Sequence, residues 1–249
     1  MRKLFGLCVV VFLTCAIGGI GQEDKAEHEK SIKEHTKAIE ANPKDAQAYF
    51  SRGGHYQALG KHFEAIKDYT KVIEIEPDNS QAYEHRGHEY LYSEPSKGPE
   101  AIADFTYAIR INPKNRGAYF IRALAFGDQK LYKEALADWT KAIELDPKDT
   151  AAISNRALCY QHLGKIKEAL ADYNTVMKLE PKEASYYHFR GSLYLSIDKT
   201  REALADFNTA IKLAPKEASY YHTRGIVYQD LGRTREAAAD FAKAKFLEK

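Results

Sequence analysis

Histidine, cysteine and arginine are the residues of this chain whose types and spacing could do chemistry. Of nine histidines, His85 and His88 stand three apart, a spacing at which one helix can aim two imidazoles at a single ion, and His188 and His222 recur 34 residues apart. No cysteine or clustered carboxylate completes a ligand set around either pair. The metalloprotease pattern of two histidines bracketing a helical glutamate is also missing, so neither a metal nor another cofactor is expected. Of three cysteines, Cys8 and Cys15 lie in the apolar start of the chain and Cys159 sits beside Tyr160, where a thiol reads as a small buried hydrophobe. There is no glycine-rich phosphate loop and no nucleophile elbow, so catalysis is not expected.

Arginine shows the most regular pattern. Arg52, Arg86, Arg122, Arg156, Arg190 and Arg224 are matched by Asp68, Asp104, Asp138, Asp172, Asp206 and Asp240. An acid for every arginine reads as a set of structural ion pairs, within or between neighbouring elements, rather than as a ladder of anion-binding cations. Arg156→Ala is accordingly expected to destabilise the fold.

The elements that carry these residues repeat. Pro43, Pro77, Pro113, Pro147, Pro181 and Pro215 are separated by 34, 36, 34, 34 and 34 residues, a period that belongs to stacked helical hairpins. The units are 46–79, 80–115, 116–149, 150–183, 184–217 and 218–249, after a single helix in 22–45. The fourth position of each unit is Tyr49, Tyr83, Tyr119, Ile153, Tyr187 or Tyr221, and the eighth is Gly53, Gly87, Ala123, Ala157, Gly191 or Gly225. The eleventh is Tyr56, Tyr90, Phe126, Tyr160, Tyr194 or Tyr228. These offsets place small and aromatic residues on one helical face. In the second half of each unit an alanine (Ala65, Ala101, Ala135, Ala169, Ala203, Ala237) precedes an aromatic by four residues (Tyr69, Phe105, Trp139, Tyr173, Phe207, Phe241). Each unit is therefore two amphipathic helices that approach closely at the small residues. Gly60, Gly164 and Gly232 fall at the turn between them.

These residues at these offsets resemble the tetratricopeptide repeat family over nearly all of the chain after residue 21. The resemblance implies an all-α fold, a right-handed superhelical solenoid of six tetratricopeptide helical hairpins preceded by one capping helix. It further implies a non-catalytic adaptor whose first helices line a concave groove for a protein or peptide. Positions two, five, six, nine, twelve and thirteen of each unit would face that groove, and none is Lys or Arg. The candidate contacts are Phe50, Glu84, His85, His88, Tyr92, Phe120, Asn155, His188, Phe189 and His222. This lining lacks the cations with which some family members clamp a terminal carboxylate, and it suits a largely uncharged peptide with apolar anchors. Capture of a small ligand in the same groove is the alternative function, and packing between neighbouring helices is the alternative role for the aromatics. Imidazoles titrating near their ordinary value would make binding sensitive to mild acid.

Charge and chain ends complete the expectation. Arg2 and Lys3 precede an uncharged run from Leu4 to Ile20, and Gln22 opens a polar stretch. This is the pattern of a signal peptide cleaved after Gly21 or Gly18, with an uncleaved membrane anchor as the alternative. An exported protein, periplasmic or secreted and without stable membrane insertion, is expected. Loss of residues 1–21 would remove two of 37 basic residues and none of 35 acidic ones, which leaves no cationic excess for nucleic acid. The sixth unit carries Ala238 and Lys245 where earlier units carry large aliphatics, and the first helix places Ile32, Ala38 and Ile39 on one side, so both ends are capped and the chain is monomeric. Deleting the first helix is expected to expose Phe63 and Tyr69. The second unit holds two extra residues within 93–99, a candidate binding loop or slack at the edge.

Overall fold

The computed structural model describes residues 22–93 and 96–248, so the expected signal segment lies outside the described residues. Thirteen helices and no strand are found among these residues. They divide between Leu145 and Asp146 into two compact units. The N-terminal unit holds α1 (Gln22–Ala41), α2 (Ala46–Ala58), α3 (His62–Ile75), α4 (Ser80–Tyr92), α5 (Gly98–Ile111), α6 (Arg116–Asp128) and α7 (Tyr132–Leu145). The C-terminal unit holds α8 (Thr150–His162), α9 (Ile166–Leu179), α10 (Ala184–Ser196), α11 (Thr200–Leu213), α12 (Ala218–Asp230) and α13 (Thr234–Leu247). Within each unit successive helices pack as antiparallel hairpins, the expected all-α repeat architecture.

The helix starts follow from the residues after each proline. Asp45, Asn79, Asn115 and Asp149 accept a backbone N–H from the residue three further on, at 2.9 to 3.0 Å, satisfying donors that the first turn leaves open. The helix α1, Gln22–Ala41, lies within the segment 22–45 in which a single helix is expected. Gly98 and Pro99, read as part of a loop, instead open α5, where proline in the first turn costs no hydrogen bond. Glu94 and Pro95 lie outside the described residues.

Packing obeys the small-against-aromatic pattern. Ala65, Ala101, Ala135, Ala169 and Ala203 are completely buried, as are Tyr69, Phe105 and Phe207. A Cβ on Gly191 would lie 2.9 Å from the Phe207 ring and 3.2 Å from the Ala203 carbonyl oxygen, closer than side chains settle. At the C-terminal end Ala238 and Lys245 are exposed as expected, but so is Phe246, at 70%, where earlier units carry charge. Phe63 corrects another expectation: it is 77% exposed with α1 in place, so α1 is not what shields it, whereas Tyr69 is fully buried.

The turns between α2 and α3, α6 and α7, α8 and α9, α10 and α11, and α12 and α13 each hold one residue in the left-handed region. Gly60, Gly164 and Gly232 supply it at φ of 67, 72 and 71°, while Lys130 and Asp198 take the same conformation at 60 and 59°. A Cβ is disfavoured there. Lys130→Gly and Asp198→Gly should therefore each stabilise the protein by about 0.5–1 kcal/mol. Thermal unfolding checks this, and a fall in melting temperature for both variants would show that these two turns are not strained.

Candidate functional site

The repeat arginines decide which charges remain for a partner. Nε and Nη2 of each repeat arginine donate to the two carboxylate oxygens of the aspartate in the same hairpin, at 2.7 to 2.8 Å in all six. Nη1 of Arg52, Arg86, Arg122, Arg190 and Arg224 also donates to the preceding helix, to Thr36, Thr70, Thr106, Asn174 and Asn208. One side chain thus fixes its own hairpin and its register on the element before. Hydrogen bonding to aspartate holds Arg52, Arg156, Arg190 and Arg224 above the ordinary arginine value. The guanidiniums also lie against the ring faces of the fourth and eleventh positions, as Arg52 does with Tyr49 and Tyr56 at 5.6 and 5.9 Å.

In the N-terminal unit the candidate groove residues pack against the second-helix aromatics. Phe50 meets Tyr69 edge-on at 5.6 Å and His85 at 5.2 Å, and His85 stacks on Tyr69 at 5.3 Å. His88 stands edge-on to Phe105 at 5.4 Å, and Phe120 to Trp139 at 4.8 Å. The Glu84 carboxylate accepts from Asn115 Nδ2 at 2.6 Å, so it is tied to the cap of α6. Tyr92 is 45% exposed and stacks on His62 at 6.2 Å. Phe50 and His85 are thus brought together, while Tyr92 stands with His62.

A polar network that sequence reading missed runs beneath this lining. Gln57 Oε1 accepts from the Tyr69 hydroxyl and from His85 Nδ1, both at 3.1 Å, so His85 carries its hydrogen on Nδ1. Gln57 also hydrogen-bonds Glu89, a carboxylate only 1% exposed whose other partner is His62 Nδ1 at 2.8 Å. Burial raises the pKa of Glu89, and the bonds from His62 and Gln57 oppose the rise. The signal for it was present: the tenth position of the later units is Ala125, Cys159, Leu193 and Val227, so an acid at Glu89 is out of keeping.

In the C-terminal unit His188 is the centre. Its ring lies 4.9 Å from Tyr220, 5.5 Å from Phe207 and 6.1 Å from Phe189, and Phe189 reaches back to Tyr173 at 6.4 Å. His188 Nε2 is 3.1 Å from Thr223 Oγ1, and that hydroxyl donates its one hydrogen to Ser219 O, so Nε2 is the donor. Asn155 donates Nδ2 to Ala151 O on its own helix. His222 is exposed, 5.5 Å from Phe241.

Burial bears on the expected sensitivity to mild acid. It lowers the pKa of His85 and His88 and takes His188 to about 4, so these rings take up a proton at lower pH than a free imidazole does. Among the described residues no three His, Cys, Asp or Glu side chains group to hold a metal ion. No described helix is long and apolar enough to cross a membrane. Cys159 is buried, as its neighbours predicted.

Comparison with known proteins agrees with the architecture. The family model of the ETO1 C-terminal domain matches residues 35–189, and the tetratricopeptide repeat model matches residues 184–217 and 218–245. No curated protein sequence matches significantly. Among solved structures the chain is similar to YrrB, described as a TPR protein with an unusual peptide-binding site, at 26% identity and a TM-score of 0.68, over 76% of this chain and 97% of that one. It is similar to a tetratricopeptide repeat protein from Parabacteroides merdae ATCC 43184 at 25% identity and a TM-score of 0.68, over 91% and 88%. It shares the fold of MamA, at 22% identity and a TM-score of 0.60, over 66% and 95%.

Proposed function

Because the chain belongs to the tetratricopeptide repeat family, we propose that it is a non-catalytic scaffold that binds a protein or peptide along its first helices. The observation that carries this reading is the commitment of all six repeat arginines to aspartates of their own hairpins. With those cations engaged, recognition falls to the aromatic and imidazole positions, and these suit a mainly uncharged segment with apolar anchors. The peptide-binding site described for YrrB lends the reading support by similarity. The charge pattern of residues 1–21 supports a place of action outside the cytoplasm, with cleavage after Gly21.

Cross-linking and capture from the exported compartment, with the wild-type protein and with Phe50→Ala and Phe120→Ala, tests it. One partner should be captured in stoichiometric amount, and each variant should weaken its binding about tenfold, as loss of an aromatic anchor does. Capture of a small ligand in place of any protein would favour the alternative use of the groove. Binding that ignores both substitutions but fails when outer-helix lysines are replaced would move the site to the second helices.

A further inference from the structure

Three imidazoles line up where α1 lies on α2. His28 and His35 stand two turns apart on α1, and His55 of α2 reaches between them. Its ring centre is 5.2 Å from that of His28 and 5.6 Å from that of His35, and the second pair is nearly parallel at 22°. His28 Nδ1 and His55 Nδ1 are 2.9 Å apart. A hydrogen bond between two such nitrogens needs a hydrogen on one and a lone pair on the other, and two imidazoliums would set N–H against N–H. The contact therefore tolerates at most one charge on the pair. The rings form a row rather than converging, so no single ion is reached by all three, in keeping with the lack of a three-ligand group among the described residues.

The charged surroundings do not neutralise a second proton. From α1, Glu27 alone acts on His55 to favour its charged form, and this is outweighed by burial and by the two neighbouring imidazoles, which together lower the pKa of His55. On α2 the nearest charge is Arg52, held by Asp68 of α3 and Thr36 of α1. From α4, His85 is engaged by Gln57.

We propose that the His28–His55–His35 row is an acid-operated latch that holds α1 on the first hairpin when its imidazoles are neutral and releases α1 when they are protonated. The sign follows from linkage. A base whose pKa is lowered by docking is bound more tightly to protons in the released state, so docking is strongest above about pH 6.5 and weakens as the pH falls below it. The Arg52–Thr36 bond is insensitive to this change, so the latch loosens one helix and leaves the ion-pair ladder of the hairpins in place. This inference does not rest on the groove reading, since it concerns how the array is closed at its N-terminal end.

Amide hydrogen exchange of the whole protein at pH 7.5 and pH 5.0, corrected for the intrinsic effect of pH on exchange, provides the test. Protection of α1 should fall at least tenfold at pH 5.0 while α7 keeps its own. The loss should follow the titration of His28, His35 or His55 resonances observed by NMR. His55→Gln, which keeps a hydrogen-bonding group but cannot charge, should hold α1 equally at both pH values, and His28→Gln, which leaves His55 beside His35, should lessen the loss. Wild-type α1 protected alike at both pH values overturns the latch. So does a loss that follows none of the three titrations, or that persists undiminished in both variants.

Discussion

Arg122→Ala is expected to lower the stability of the N-terminal unit by about 3 kcal/mol. The substitution leaves the Asp138 carboxylate buried without the two donors at 2.7 Å that satisfy it, and removes the bond to Thr106 of the preceding hairpin. Uncompensated burial of a charge is costly whatever the net worth of the intact pair. It also strips the Tyr119 and Phe126 rings of the guanidinium that lies 5.9 and 5.7 Å from them. The only tryptophan of the chain, Trp139, adjoins Asp138 and is buried, so urea unfolding followed by its fluorescence reads this unit directly. Asp138→Ala should be similarly damaging, and the double variant should be less so than the sum of the two by about 2 kcal/mol. By contrast, removing the exposed Lys141–Glu144 pair should change stability by less than about 0.5 kcal/mol although its contact, at 2.8 Å, is nearly as short. In the C-terminal unit Arg156→Ala should repeat the loss, read by circular dichroism. Unchanged stability together with lost partner binding would make the arginines ligand contacts after all.

The parts of this molecule that repeat were legible in its sequence, and the parts that occur once were not. Six prolines at a near-constant period mark six hairpins, and each offset of small residue, aromatic, arginine and aspartate is confirmed by packing because the same local solution is used six times. The sequence left open whether the ion pairs lie within or between hairpins. The ion pairs lie within hairpins, and what the same arginine sends to the helix before is a hydrogen bond to a hydroxyl or amide oxygen. What repetition cannot convey is depth. The register puts His85, His88 and His188 on one face of their helices, but the aromatic neighbours that dry each ring come from other helices, as Tyr69 does for His85 and Tyr220 for His188. The Glu89–His62 contact joins residues 27 apart through a position that is apolar in later units, so no local rule anticipates it. Phe63 was misjudged for the same reason: an aromatic in an amphipathic helix reads as buried, and only the assembled hairpin shows that it faces out.

The fate of His188 on acidification gives the largest pH effect to be expected of the C-terminal unit. Its ring is enclosed by Phe207, Tyr220 and Phe189, and burial is the first cause of a pKa near 4, with Glu217 opposing weakly. In the folded protein the neutral ring donates from Nε2 to Thr223, while in the unfolded chain it titrates as an ordinary imidazole. The unfolded state therefore binds the proton first. Stability is at its full value above about pH 6.5, begins to fall as the pH drops below that value, and continues to fall until the folded ring itself charges near pH 4. The difference corresponds to about 2–3 kcal/mol across that interval. His188→Gln retains a donor for Thr223 and has no proton to gain, so it should lose some stability at neutral pH through poorer packing but show a flatter pH profile. Urea unfolding of the wild type and the variant at pH 7, 5.5 and 4, followed by circular dichroism, isolates the contribution, because carboxylates titrating in the same range cancel in the difference. A variant that loses as much stability on acidification as the wild type would show that the ring is hydrated and titrates normally. The same enclosure has a consequence for binding. Between pH 7 and 5.5 His188 stays neutral, so an affinity that changes in that range must draw on other groups.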